Sequence, residues 1–308
     1  MPREAYSELM KTIVAGRFVF TGEIEPKKTA HFDDVIRVAK ALKGYTVACN
    51  VTDNPRAQAY LSSLSVAHIV QKETGMETIC QMTVRDRNRL ALFSELLGAA
   101  ALGIRNVLTM SGDHTSLSDN PGAMPVYDID TAQFVYMVRR MVDEGVDLEG
   151  NKIDGKVKLH VGIVGNPNAD PLEVELLKIE RKVKIGADFM QTQVVFDVEK
   201  AKGFLKEMKR HSIPVLLGIF PCKSYGVAEF ISKNVPGISV PKDFMEELKK
   251  AEEIEDNSRR KSRVEDVNVR YFTDFISEVK RTTHASGIHI MAVGYESVVK
   301  TLVESVSK

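Results

Sequence analysis

The sequence predicts an α/β fold, a (β/α)8 barrel with an extra N-terminal helix, and three observations predict it. Apolar strand-like runs alternate with helical stripes at intervals of roughly thirty residues, the spacing of βαβ units. Eight such runs can be placed along the chain. The first four end in polar residues, as expected where parallel strands converge on one mouth. With 308 residues the chain suits one barrel, typically about 250 residues before insertions, and residues 1–308 are read as a single barrel domain with its site at the C-terminal mouth.

Leu9, Met10, Ile13 and Val14 recur at helical spacing, so residues 4–14 are expected to form a helix under the barrel floor. The first strand, Phe18-Val-Phe20, runs on through Gly22-Glu-Ile-Glu25, which puts a carboxylate at the strand's exit. Glu23 can aim at a ligand in the mouth, or Glu23 or Glu25 can close an ion pair there. A helix over Val35 to Leu42 is stopped by Gly44, and Tyr45 to Thr52 reads as the second strand, closed by the loop Asp53-Asn-Pro-Arg56. The next helix is expected from near Arg56 to Lys72, followed by the strand Glu77 to Thr83, a helix around Leu92, Leu96 and Ala99, and the strand Asn106 to Met110. The exits Thr52, Gln81 with Thr83, and Ser111-Gly112-Asp113 are all polar.

His114 to Tyr127 has no periodicity and is rich in Ser, Asn, Pro and Gly, so it reads as a loop over the mouth. A helix from Thr131 to Glu144 and a polar excursion over 149–156 lead to a fifth strand, Val157 to Val164. Leu172, Leu176, Ile179 and Val183 mark one face of a helix that Gly186 stops, with Glu175 and Lys182 off that face. The sixth strand, Asp188 to Val195, carries Gln191 and Gln193 on one face, and those amides need partners in the core or on a ligand. Ile213 to Phe220 is the seventh strand, with Cys222, Lys223, Ser224 and Tyr225 at its exit. The charged segment 245–266 reads as a solvated face. Gly287 to Val293 and Tyr295 to Val306 complete the pattern as strand and helix.

Lys plus Arg and Asp plus Glu both total 42, so no net field recruits nucleic acid or an anionic membrane, and a small-molecule ligand is expected. No apolar run reaches the ~18 residues of a membrane span, and Met1-Pro-Arg-Glu-Ala-Tyr6 has no signal-peptide core. Three separated cysteines (Cys49, Cys80, Cys222) suit buried thiols in a reducing, cytoplasmic setting. The sequence contains no glycine-rich phosphate motif, no HExxH and no CxxC. The seven histidines have no ligand spacing, so no metal is expected, and His160 and His289 read as hydrogen-bonded core residues. Carboxylates and amides remain, which suit holding a nitrogen-rich ring and delivering a proton.

On these residues the chain resembles the methylenetetrahydrofolate reductase family along nearly its whole length. Glu23-Ile-Glu-Pro is similar to the family's first-strand glutamate and proline, and Ser111-Gly-Asp113 to its Arg-Gly-Asp at the fourth strand. Glu180 to Asp188, Gln191-Thr-Gln193, Phe196-Asp197 and Pro236 to Pro241 continue the match in order. The resemblance implies a flavoprotein, with FAD as cofactor and FMN the alternative, that reduces 5,10-methylenetetrahydrofolate to 5-methyltetrahydrofolate. It implies Glu23 and Asp113 as catalytic residues: Glu23 as the acid that assists ring opening at N10, Asp113 beside the flavin pyrimidine. Thr52, Gln81, Ser111, Gly112, Asp113, Val164, Glu175 and Lys182 fall at flavin positions, and Glu23, Gln193 and Tyr225 at substrate positions. Ser111, Gln81 and Val164 depart from the family's arginine, histidine and tyrosine, which leaves the grip on the flavin open.

NADH or NADPH is the expected electron donor, with an electron-delivering partner subunit as the alternative, and an oligomer is expected. Two competing readings are a catalytically silent barrel subunit of an electron-transfer complex and a Schiff-base lyase using Lys223.

Overall fold

Strand residues alternate between two surfaces, and in this chain the alternation sorts an inner core from an outer one. In the computed structural model, which describes residues 3–235 and 237–307, eight parallel strands close in sequence order into a barrel. They are β1 (Val19–Ile24), β2 (Ala48–Val51), β3 (Thr78–Thr83), β4 (Asn106–Met110), β5 (His160–Gly165), β6 (Phe189–Val194), β7 (Val215–Ile219) and β8 (Gly287–Ile290). β8 pairs back onto β1 through Val19 opposite Gly287, so no edge is left open. The fold is a (β/α)8 barrel, as the repeat predicts. Pro236, part of the family-like Pro236–Pro241 segment, lies outside the described residues.

The inner face begins apolar. Val19, Ala48, Ile79, Leu108, Phe189 and Leu216 meet inside the barrel, and Leu9 and Met10 of α1 (Glu8–Val14) plug them from below. The predicted floor helix is therefore present, with one correction: Val14 faces solvent, because α1 presents only one narrow stripe to the barrel. On the outer face Cys49, Val51, Cys80, Met82, Val107, Val161, Ile163 and Met190 belong to a second core packed under the surrounding helices. All three cysteines are free and buried.

The helices are α2 (Asp33–Leu42), α3 (Ser63–Thr74), α4 (Arg89–Ala101), α5 (Thr131–Arg139), α6 (Leu172–Ile185), α7 (Val198–Met208), α8 (Tyr225–Asn234), α9 (Lys242–Glu252), α10 (Asn257–Thr282) and α11 (Ser297–Ser307). Helices that follow a strand exit begin at the mouth, so their positive dipole ends lie around it. The chain caps many of them there: Ser62, Asn88, Asp197, Ser224 and Asp256 each accept a backbone N–H from the following turn, and Asp130 forms a capping box with Gln133.

One expected boundary is corrected: α3 starts at Ser63, not near Arg56. Asn54, Arg56 and Ala57 have φ of 48°, 56° and 56°, which no α-helix accepts. The charged 245–266 segment forms the end of α9 and the start of α10, where Glu247 receives Arg263 and Arg270 across the two helices.

At the floor end, Asp188 ties three elements together. It accepts Arg139 at 3.1 Å, the Val161 N–H at 2.8 Å and Arg3 at 3.4 Å, with His160 beside it. Burial pushes its carboxyl up, yet the hydrogen bonds and the Arg139 charge outweigh that and hold it below the usual carboxylate value. A depressed folded-state pKa stabilises above the unfolded value and is lost as pH falls through the folded one. Acid denaturation of wild type should therefore steepen below pH ~4, and Asp188→Asn should be less stable at pH 7 with a flatter acid limb, as read by urea titration at several pH values.

Candidate functional site

Above the apolar floor the inner face turns polar, and its groups satisfy one another across the barrel. Asn50 on β2 and Gln191 on β6 exchange two hydrogen bonds, at 2.6 and 3.0 Å. Gln191 Nε2 also donates to Thr21 Oγ1 at 3.3 Å, and Thr21 Oγ1 lies 3.0 Å from His289 Nδ1 on β8. His289 Nε2 in turn stands 3.4 Å from Glu23 Oε2. The line runs from the buried centre to Glu23, whose side chain is 12% exposed and is its outermost member. Glu25 points elsewhere and pairs with Lys27 at 2.8 Å. His289 is thus a hydrogen-bonded barrel histidine, as its strand position predicts, but it also serves the acid at the mouth, which one strand's spacing could not reveal.

This line can carry a proton in either of two arrangements. If Thr21 donates to Nδ1, Nε2–H points at an ionised Glu23; if Glu23 is protonated, it donates to a bare Nε2 and Nδ1–H turns to Thr21. Each arrangement keeps both ring nitrogens of His289 hydrogen-bonded.

A second polar region joins the exits of β2, β3 and β4. Arg85 is 1% exposed; its guanidinium donates to the carbonyls of Asp113 at 3.0 Å and Asn54 at 3.1 Å and pairs with Asp86. Gly112 has φ of 81°, and a Cβ there would stand 3.0 Å from Arg85 Nη1, so this exit needs glycine twice over, for backbone sign and for space. Asp113 Oδ2 accepts the Arg56 N–H at 2.7 Å, which links β4's exit to the loop with three positive-φ residues. Strain of that kind persists only where the surroundings hold it. Asp53 clamps the same region, taking Arg87 through both oxygens and the Thr83 N–H. In the sequence Asp53 to Arg56 reads only as a closing loop, and the one local sign of the Arg85-Asp-Arg87 role is its alternating charge at a strand exit.

Beyond these exits lies a cavity of about 470 Å³ between β4, β5, α5 and α6. Ser111, Val164, Glu175 and Lys182, all at expected cofactor positions, line it together, with Val84, Ile129 and Tyr127 as apolar wall and Lys178 and Arg181 as further cations. Lys182 is buried and donates to the Val164 carbonyl at 3.0 Å, and burial pushes its ammonium down from the usual lysine range. Glu175 accepts the Asn166 N–H at 3.0 Å.

The other expected positions fall around the mouth. Thr52 directly follows β2, with its hydroxyl buried and without a hydrogen-bond partner among the described residues. Gln81 is buried on β3. Gln193 is exposed two residues after buried Gln191; the β6–β7 register shifts between Gln191 and Val194, and Gln193 Oε1 accepts the Val194 N–H. Tyr225 opens α8, donating its N–H to Glu252 at 2.8 Å. Lys223 is exposed on the rim, outside the barrel interior. Among the described residues no His, Cys, Asp and Glu cluster could hold a metal.

The fold is a (β/α)8 barrel with a polar line ending in Glu23 at β1 and β8 and a cavity lined by both charged and apolar side chains at β4 and β5. The chain belongs to the methylenetetrahydrofolate reductase family, whose sequence profile matches residues 8–307. It is 24% identical over 223 residues to a probable methylenetetrahydrofolate reductase (NADPH) of Caenorhabditis elegans, covering 69% of this chain and 31% of that one. Methylenetetrahydrofolate reductase 1 of Schizosaccharomyces pombe is 23% identical, covering 78% and 37%. Methylenetetrahydrofolate reductase (NADH) 1 of Zea mays is 23% identical, covering 68% and 36%. The chain thus spans about a third of the length of these curated relatives. Among solved structures, DmoA from Hyphomicrobium sulfonivorans superposes with a TM-score of 0.55 over 93% of this chain and 86% of that one at 9% identity, a likeness of fold alone. No helix among the described residues is long and apolar enough to cross a membrane.

Proposed function

We propose that this barrel reduces 5,10-methylenetetrahydrofolate to 5-methyltetrahydrofolate with a flavin held at its mouth. The observation that carries the reading is the gathering of Ser111, Val164, Glu175 and Lys182, four of the family's flavin positions, in the walls of one cavity. The residues fit such a group. Lys178 and Lys182 supply cations for phosphate, Arg181 being paired with Asp130 at 3.1 Å in the same wall; Val84, Ile129 and Val164 supply an apolar wall, and the buried Thr52 hydroxyl has no hydrogen-bond partner among the described residues. FAD is the expected form, with FMN the alternative; bound there, the flavin supplies hydride to the methylene carbon.

The protein's own part is to place and protonate. Glu23, at the mouth end of the interior line, gives its proton to the departing N10 so that the imidazolidine ring opens to an electrophilic iminium. His289, held by Thr21 on its Nδ1 side, positions the Glu23 carboxyl, and the proton lost to N10 is replaced from solvent at the mouth, where the Glu23 side chain is 12% exposed. Gln193 and Tyr225 hold the pterin and its neighbouring ring, and Asp113, fixed by Arg56 N–H and Arg85, keeps a negative charge where reduced flavin would gain one.

The donor is proposed to be NADH or NADPH taken directly at the mouth. A second reading has one specific observation in its favour: Leu117, Met124, Val126 and Tyr127 of the loop over the cavity are exposed, an apolar rim on which an electron-delivering subunit could seat. Anaerobic stopped-flow tests both. The purified protein should show, or regain on addition of FAD or FMN, the yellow absorbance of oxidised flavin, and NADH or NADPH should bleach it. Bleaching by dithionite alone, with substrate turnover intact, would establish the partner reading, and a chain with no flavin affinity would refute the proposal.

A further inference from the structure

The longest helix carries one polar side chain in a stripe that is otherwise apolar. α10 buries Val264, Val267, Phe272, Phe275, Ile276 and Val279, and among them Asn268, which is 0% exposed. Asparagine is a weak helix former, and a buried amide is costly unless its donors and acceptor are paired. Asn268 pairs with the peptide of Cys222, beyond the end of β7. Its Oδ1 accepts the Cys222 N–H at 2.7 Å, and its Nδ2 donates to the carbonyls of Cys222 at 2.9 Å and Val264 at 2.7 Å. Cys222 is itself buried, so without Asn268 both of these peptide groups would lose the partner they have here.

Three residues further on, and so on the same side of the helix, Tyr271 does the equivalent for β6. Its hydroxyl donates to the Phe196 carbonyl at 2.8 Å, and burial pushes its pKa up to about 12, so it remains a donor. The Phe196 ring lies 5.9 Å from both Phe244 of α9 and Phe272 of α10, which fixes the same exit by packing. The Val195 N–H donates to the Gly218 carbonyl at 2.9 Å, tying the two exits to each other.

Neither side chain is set to touch a ligand: Asn268 has no exposed surface, and the Tyr271 hydroxyl is taken by Phe196. What they hold is another matter. Phe196 stands three residues after Gln193 and Cys222 three before Tyr225, the two residues expected beside the pterin. We infer that Asn268 and Tyr271 are positioning residues for the substrate half of the mouth, setting through the Phe196 and Cys222 peptides where Gln193 and Tyr225 stand. The substrate's identity rests on the proposed reductase reading; the hold of α10 on the two exits does not.

Asn268→Leu and Tyr271→Phe in the purified, flavin-loaded chain test the inference. The flavin dissociation constant should stay near wild type in both. The methylenetetrahydrofolate concentration that half-saturates reoxidation of the dithionite-reduced flavin should rise about tenfold in Asn268→Leu, which loses two hydrogen bonds to Cys222, and about threefold in Tyr271→Phe, which loses one. Hydrogen exchange gives a ligand-free readout: amides of 222–226 in Asn268→Leu and of 194–198 in Tyr271→Phe should exchange faster, and those of 52–57 and 110–114 as in wild type. Asp188→Asn, at the floor, is the control for general destabilisation and should leave the substrate constant unchanged. Should Asn268→Leu fail to fold, Tyr271→Phe, which keeps the ring packing, carries the test alone. Unaltered exchange at both exits, or a substrate constant that rises no more than in Asp188→Asn, overturns the inference. Failure of the reductase reading looks different: a chain that binds no flavin, whose variants still loosen these two exits and no others, upholds the hold of α10.

Discussion

Glu23→Gln should reduce its flavin at the wild-type rate and fail to pass the hydride on. Glutamine keeps the length of the side chain and can still accept from His289 Nε2 through its carbonyl, so the interior line from Asn50 to His289 should stay intact. What disappears is the proton that the proposed mechanism delivers to N10. Loss of a positioned general acid costs on the order of 10²–10⁴ in rate, and here the whole loss should fall on the half-reaction with methylenetetrahydrofolate. The two half-reactions, followed separately by stopped flow, check this. Equal slowing of both would mean that Glu23 shapes the site and does not act in it. Glu25→Gln is the matched control: its carboxylate is held by Lys27 outside the line and should leave both steps near wild type.

The second large effect is expected at Arg85→Met. The variant keeps the bulk of the buried stem but leaves the Asp113 and Asn54 carbonyls without the guanidinium and the Asp86 carboxylate with only Asn54 and Thr83 as donors. Removing one member of a fully buried pair costs about 3–5 kcal/mol; because Asp86 is 30% exposed and can turn to water, about 2–4 kcal/mol is expected, read as a shift in the urea midpoint. The physical content lies in where the damage goes. With Arg85 gone, the strained Asn54–Ala57 turn and the Gly112–Asp113 exit lose their common anchor, so flavin affinity should fall along with stability. A variant destabilised to this degree that bound flavin as wild type does would show that Arg85 supports the barrel and not the site.

The comparison between sequence and structure separates along the same lines. A repeating strand and helix pattern is a local signal, written in period and in residue type, and it was enough to determine the barrel, its eight strands, the floor helix and the polar exits at Glu23, Thr52, Gln81 and Ser111 to Asp113. It also determined which residues resemble the family's cofactor positions, since those motifs are contiguous. Barrel closure decided the rest. Only closure brings β8 against β1 and so sets His289 beside Glu23, residues 266 positions apart, and only closure lets Asn50 and Gln191 meet across the interior. The role of Arg85 likewise depends on three strand exits converging, because a side chain bridging the carbonyls of residues 54 and 113 leaves no periodic mark in the sequence. Helix start sites shifted for a related reason: the start of α3 was decided by left-handed backbone at Asn54, Arg56 and Ala57, which their packing against Asp113 and Arg85 imposes and residue type alone does not.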